Sequence, residues 1–199
     1  MSFTHSSGTL APEGTALKPA QPRKSVRHLG SKGATTTIGN STTKTLLFTS
    51  DPIDPEVLNT STVFLFDLAG ITTFNGATDD PDFSIEYDEG DGTAAIEIVS
   101  VVLNLSAASA DAVIFKAMLK VVTTGASGKI FGVASVKGDN PGTEALMTTA
   151  AAGVTADLTG NAISATAVNG RFKVYAKFAV SGASTSLAVP VCTCQAIGN

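Results

Sequence analysis

The stretch AISATAVNGRFKVYAKFAV, residues 162–180, decides the fold class. Phe172, Val174, Ala176, Phe178 and Val180 fall on one side of an extended chain, and Arg171, Lys173, Tyr175 and Lys177 on the other. This is the period of two that marks a strand with one face in a core and one in water. Asn169-Gly170 stands just before it, a dipeptide suited to a type I′ turn, whose two central residues need positive φ. The reading predicts a hairpin over 162–180 with Ala167 opposite Phe172, Ala165 opposite Val174 and Ile163 opposite Ala176. Small residues then meet large ones on the buried side, while Thr166 and Ser164 meet Lys173 and Tyr175 on the wet side.

The same alternation recurs upstream. Leu46 and Phe48 are expected inward, and the strand stops at Asp51-Pro52 and Asp54-Pro55, which favour turns. Val63 to Leu68 is apolar on both faces apart from Asp67, as expected of a central strand. Phe83, Ile85 and Tyr87 alternate with Ser84, Glu86 and Asp88; Ile96 and Ile98 then give way to Val101, Leu103 and Leu105, a change of phase that predicts a bulge or a corner near Val99 and Ser100. Val113 to Val121 reads as a strand rather than a helix because its alternation is strict, and Ile130 to Val136 follows a Gly-Ala-Ser-Gly turn. Residues 138–160 read as a long loop with one short element around Thr143 to Met147. The last strand, Ser186 to Ile197, contains Pro190, which lacks an N–H and so predicts an edge position or a bulge.

About eight or nine strands with turn signals between them predict an all-β, antiparallel two-sheet β-sandwich of jelly-roll type. A chain of 199 residues holds one such domain and an appendage. Residues 1–36 lack periodicity, include Pro12, Pro19 and Pro22, and are expected to form an extended arm, leaving 37–199 as the sandwich. Extended, the arm would reach about 110 Å.

Charge is divided by region. Residues 1–33 carry Lys18, Arg23, Lys24, Arg27 and Lys32 against Glu13, whereas the whole chain has a net charge of −4. A basic arm on an acidic body suits docking to an acidic protein surface or to nucleic acid. Nucleic acid is the weaker reading, since five charges interrupted by prolines make a sparse footprint. Arg23, Lys24, Arg27 and Lys32 are the candidate docking residues. No run of about 18 apolar residues suggests a membrane span, and residues 1–33 hold no apolar signal core, so use without secretion is expected.

Catalytic chemistry finds little support. Both histidines, His5 and His28, lie in the expected arm, away from any rigid scaffold. No phosphate-binding Gly-x-x-x-x-Gly-Lys or His-Glu-x-x-His pattern occurs, and Gly125-Ala126-Ser127-Gly128 reads as a turn rather than a nucleophile elbow. The acidic run Asp79, Asp80, Asp82, Glu86, Asp88, Glu89 and Asp91 lacks the ligand order of a calcium loop, and its middle is the wet face of a strand. Cys192 and Cys194 are half of a zinc site without the other half, and an i, i+2 bridge would be strained, so free thiols are expected. No catalytic, cofactor or metal residues are assigned, and the chain is read as not an enzyme.

Thr43-Lys44-Thr45-Leu46-Leu47-Phe48, the turn to Leu58, the strand Val63 to Gly70, the loop Thr148 to Thr159 with Asp157-Leu158-Thr159, and the closing strand Val191 to Ile197 occur in that order. Over about residues 42–197 the chain resembles the β-sandwich domains of tailed-bacteriophage decoration (cement), head-fibre and tail proteins. The resemblance implies a capsid decoration protein that binds the major capsid protein through its arm, self-associates as a homotrimer or homodimer, and sits on the virion exterior after assembly in the host cytoplasm. A coat, head-fibre or tail component is the alternative within that class. A glycan-binding module is the alternative outside it, disfavoured by the absence of Trp and the presence of only two Tyr for a stacking platform.

Overall fold

The computed structural model describes residues 25–39, 41–54, 57–73, 80–90, 92, 94–103, 110–124, 128–138, 155–157, 170–179 and 185–198. Among these the chain is all strand: β1 Ser25–Ser31, β2 Thr36–Gly39, β3 Thr45–Thr49, β4 Val63–Thr73, β5 Pro81–Asp88, β6 Ile96–Val102, β7 Ala110–Thr123, β8 Lys129–Gly138, β9 Thr155–Asp157, β10 Arg171–Phe178 and β11 Ser186–Gly198. They form two antiparallel sheets packed face to face. The larger runs β1-β11-β4-β7-β8-β9, with β2 also on β11, and the smaller runs β3-β10-β5-β6.

The core lies between the sheets. Phe172 projects from β10 and meets Phe64 and Phe66 of the larger sheet with ring centroids 4.8 and 5.5 Å apart, both edge-on. Tyr87, beside it on β5, lies 5.5 Å away. Phe83 and Phe115 stack across the same gap at 5.4 Å. Alternation is what fills this layer: Phe172, Val174, Ala176 and Phe178 are all buried, and the residues between them are not.

β10 is thus the strand that its alternation predicts, but the expected hairpin is overturned. One edge of β10 is taken by β5, with Phe172 opposite Tyr87 and Val174 opposite Ile85. The other is taken by β3 and the residues after it: Val174 lies opposite Phe48, the Ser50 N–H donates to the Phe172 carbonyl at 2.9 Å, and the Ile53 N–H donates to the Gly170 carbonyl at 2.8 Å. Both edges of β10 are therefore occupied, and residues 162–168 lie outside the described residues. Gly170 does not have a positive φ, as the expected turn requires; among described glycines only Gly30, Gly90 and Gly92 do. It is needed because Tyr87 crosses over it: a Cβ there would stand 2.5 Å from the Tyr87 Oη. Gly170→Ala is expected to cost about 1–3 kcal/mol as an overpacked site. Tyr87→Phe, which removes the clashing atom, should recover part of that loss in a double-mutant cycle of urea midpoints.

Bulges account for the other departures. Leu46 is exposed and Leu47 buried, the reverse of expectation, because the pairing of β10 with β3 shifts between Val174 and Tyr175 and turns Leu47 inward. In β6 the slip falls at Ile98, one residue before the expected position, between the pairs Ile85–Val99 and Glu86–Glu97. Pro190 occupies a bulge in an interior strand: β2 pairs with Ser186 to Val189, β1 resumes at Thr193, and the register on β4 shifts between Ala188 and Val191. The missing N–H of proline therefore costs no ladder bond. At the far edge Gly132 lets β8 approach β6, since a Cβ would lie 3.0 Å from both Ile98 and Leu119.

The boundary expected at residue 36 is also corrected. Ser25–Ser31 is a strand on β11, from Ser25 opposite Gly198 to Ser31 opposite Thr193, and Leu29 is buried in the core. The Leu29 carbonyl accepts from the Asp51 N–H at 2.7 Å, which ties β1 to the end of β3. The sequence gives no sign of this because Leu29 is the single buried side chain of the seven in β1. A strand with one inward residue has no period to read.

Candidate docking surface

Of the four basic residues marked for docking, Arg27 and Lys32 are among the described residues. Arg23 and Lys24 lie outside the described residues. Arg27, on β1, faces Asp54 with Nη1 and Oδ2 3.5 Å apart, beside a depression of about 280 Å³ lined by Asn59, Thr62 and Gly198. Lys32 follows β1, its N–H donating to the Cys192 carbonyl at 2.8 Å. Its Nζ is buried without a hydrogen-bond partner among the described residues. Burial pulls the Lys32 pKa below the ordinary lysine value, and the neighbouring Cys192 sulfur opposes this only in part. Arg27 and Lys32 therefore belong to the edge of the sandwich rather than to a projecting arm.

The outer face of the smaller sheet is laced with ion pairs. Lys44 Nζ donates to Glu86 and Glu97, each at 2.6 Å; burial works against its charge, but these bonds outweigh it and raise its pKa. Lys173 pairs with Asp88, a bond that raises the lysine pKa. Lys177 pairs with Asp82 at 3.4 Å, and there burial dominates and pushes the carboxyl pKa up. Asp82, Glu86 and Asp88 of the acidic run are thus engaged by lysines, while Asp79 and Asp91 lie outside the described residues. Among the described residues no three His, Cys, Asp or Glu side chains are placed to hold a metal ion.

The outer face of the larger sheet has the opposite character. Val26, Ile71, Ile114, Met118, Val122 and Val191 are exposed there, and of the large exposed apolar side chains described only Leu46 belongs to the smaller sheet. Leu65, Met118 and Val133 line a shallow depression of about 290 Å³, next to an ion pair of 3.3 Å between Asp67 and Lys116.

Cys192 and Cys194 are free thiols, both buried on the inward side of β11. Burial pushes the Cys192 thiol up to about 12 from 9.0, against a smaller opposing pull from Lys32, and burial likewise raises Cys194. Above pH 9 the unfolded chain gives up a thiol proton that the folded chain retains until about pH 12, so stability should fall as pH rises through that window. Urea midpoints measured from neutral to alkaline pH check this: Cys192→Ala should show a shallower decline than the native chain, and equal slopes would refute it.

No protein-family model and no curated protein matches this chain. Similar solved structures include that of the infectious bursal disease virus Gt strain, at 10% identity and a TM-score of 0.36, covering 98% of this chain and 38% of that one. The VP2 subviral particle of infectious bursal disease virus is similar at 12% identity and a TM-score of 0.32, covering 98% and 41%. Alginate lyase A1-II′, of polysaccharide lyase family 7, is similar at 14% identity and a TM-score of 0.33, covering 69% and 63%. The chain spans less than half the length of the viral chains it matches, and likenesses this distant carry no functional argument.

Proposed function

We propose that this chain is a virion structural protein, a decoration or cement subunit whose sandwich sits on the outside of a capsid. The observation that carries the reading is strand order. If β8 and β9 are set aside as an extension, one sheet runs β1/β2-β11-β4-β7 and the other β3-β10-β5-β6. The first strand pairs with the last, the next inward with the next, and from β2 to β7 each strand changes sheet except at the innermost pair, β5 and β6, which are neighbours in one sheet. That nesting is the one expected of a jelly roll built from two Greek keys, an architecture used by viral capsid domains and also by lectins and cupins. Architecture alone does not assign a function. What favours a structural role is an ion-paired outer face, an apolar outer face and a basic N-terminal segment on a body with excess acid.

In this reading residues 1–24, with Lys18, Arg23 and Lys24 against Glu13, reach to the major capsid protein, and Arg27 and Lys32 anchor the start of that segment to the sandwich. The protein reaches the virion exterior after assembly in the host cytoplasm, and it acts mechanically by burying surface across coat-subunit boundaries. The test is binding of the full chain, and of a chain lacking residues 1–24, to empty and genome-filled shells of the encoding virus across a salt series. Binding of the full chain to empty shells, lost on truncation and moderate in salt dependence, is expected. Failure to bind either shell would overturn the reading. Binding to filled shells alone, falling steeply with salt, would mark a nucleic-acid tether instead.

A further inference from the structure

The strands β4 and β7 are apolar on both sides, but the fold covers only one of them. On β4, Phe64, Phe66 and Leu68 are buried while Ile71 on the outer face is 55% exposed; on β7, Phe115 and Leu119 are buried while Met118 is 43% exposed. Cross-strand registry gathers the outer residues into one patch: Leu65 lies opposite Met118, Met118 opposite Val133, and Val191 opposite Ala69. A strand that is apolar on both faces is the mark of a sheet covered on both faces. The smaller sheet shows the contrast, with its outer face satisfied by its own ion pairs.

We propose that this face is covered by the same face of a second copy of the chain, packed sheet on sheet about a two-fold axis. The area fits: β1, β11, β4, β7 and β8, at about 4.8 Å between strands and roughly ten residues of 3.3 Å, span about 800 Å², the share of one partner in a standard interface. The charges fit as well. A two-fold contact must be self-complementary, and the centre of the patch carries one charge of each sign, Asp67 and Lys116, with side chains 59% and 65% exposed. At the centre two copies therefore meet as two such pairs, with no uncompensated charge there. Lys120, Lys129 and Lys137 lie toward the strand ends, at the rim of such a contact.

This deepens the self-association expected of a virion subunit and rests on that reading only for its purpose. It is tested in solution without shells, so a dimer that binds no shell would leave it standing while the decoration role fell. Sedimentation equilibrium of the full chain over a wide concentration range should give the mass of a dimer. Met118→Glu and Ile114→Glu should each weaken the dimer on the order of a hundredfold or more, because the axis brings each buried carboxylate in twice. Leu46→Glu makes the same kind of change on the opposite sheet and should leave the mass unchanged. Urea midpoints show whether each variant is folded, and Val191→Glu replaces any that is not. A monomer at all concentrations would overturn the proposal, since another segment of the chain or another partner would then own the face. So would a trimer, or a dimer indifferent to the substitutions.

Discussion

Phe172→Ala should lower the free energy of unfolding by about 3–5 kcal/mol, as expected for emptying a fully enclosed aromatic site. The ring is wholly buried and touches aromatic rings from both sheets, Phe64 and Phe66 on one and Tyr87 on its own. Each such pair contributes about 0.5–1.5 kcal/mol beyond the area it buries. The cavity cannot collapse easily, because β10 is held on both edges, by β5 and by β3 with the residues that follow it. Lys173→Ala is the internal comparison. It breaks a half-buried pair with Asp88 on the outer face and should cost about 1 kcal/mol or less. Urea midpoints at unchanged m-value decide the matter; equal losses would mean that Phe172 does not join the sheets.

The contrast between these neighbours was legible in the sequence, because alternation depends only on which way each side chain points from its own strand. The partner of β10 was not legible. Asn169-Gly170 reports a local preference for a turn, whereas the pairing with β5 and β3 joins residues far apart in the chain, for which the hairpin stretch holds no signal. The glycine itself was informative for a different reason, as the place where Tyr87 passes close to the backbone. Bulges were visible only where they broke a long alternation, as in β6; in five-residue β3 the exchange of Leu46 for Leu47 left nothing to read. The docking residues fared likewise. A count of positive charges found Arg27 and Lys32, but whether a cation is free or built into an edge depends on Asp54 and Cys192, which approach from other strands. The apolar outer face was foreshadowed by Val63 to Leu68, whose two-sided apolarity was read as the sign of a central strand. β4 is central within its sheet, between β11 and β7, yet its outer side is open in the single chain.

Deleting residues 1–24 and deleting residues 1–36 should have very different outcomes. The first removes no described core residue, and its urea midpoint should match that of the full chain. The second removes β1. Leu29, 1% exposed, leaves the core, a loss of about 2–3 kcal/mol of burial. The ladder from Ser25–Gly198 to Ser31–Thr193 goes with it, as do the bonds from Asp51 N–H to the Leu29 carbonyl and from Lys32 N–H to the Cys192 carbonyl. Each lost bond leaves a partner group on β11 or after β3 to be met by water or left bare. The half of β11 that carries Cys192 and Cys194 then becomes a free edge beside an apolar outer face, an arrangement prone to pairing with other chains. A total loss of about 3–5 kcal/mol, seen as a melting temperature lower by roughly 10 °C or more, is expected, together with thiols that react readily with a disulfide reagent. If the chain lacking 1–36 melts with the full chain and keeps its thiols shielded, then β1 is an ornament on the sheet and the sandwich begins after it. If instead the chain lacking 1–24 is the unstable one, the support for β11 comes from before Ser25.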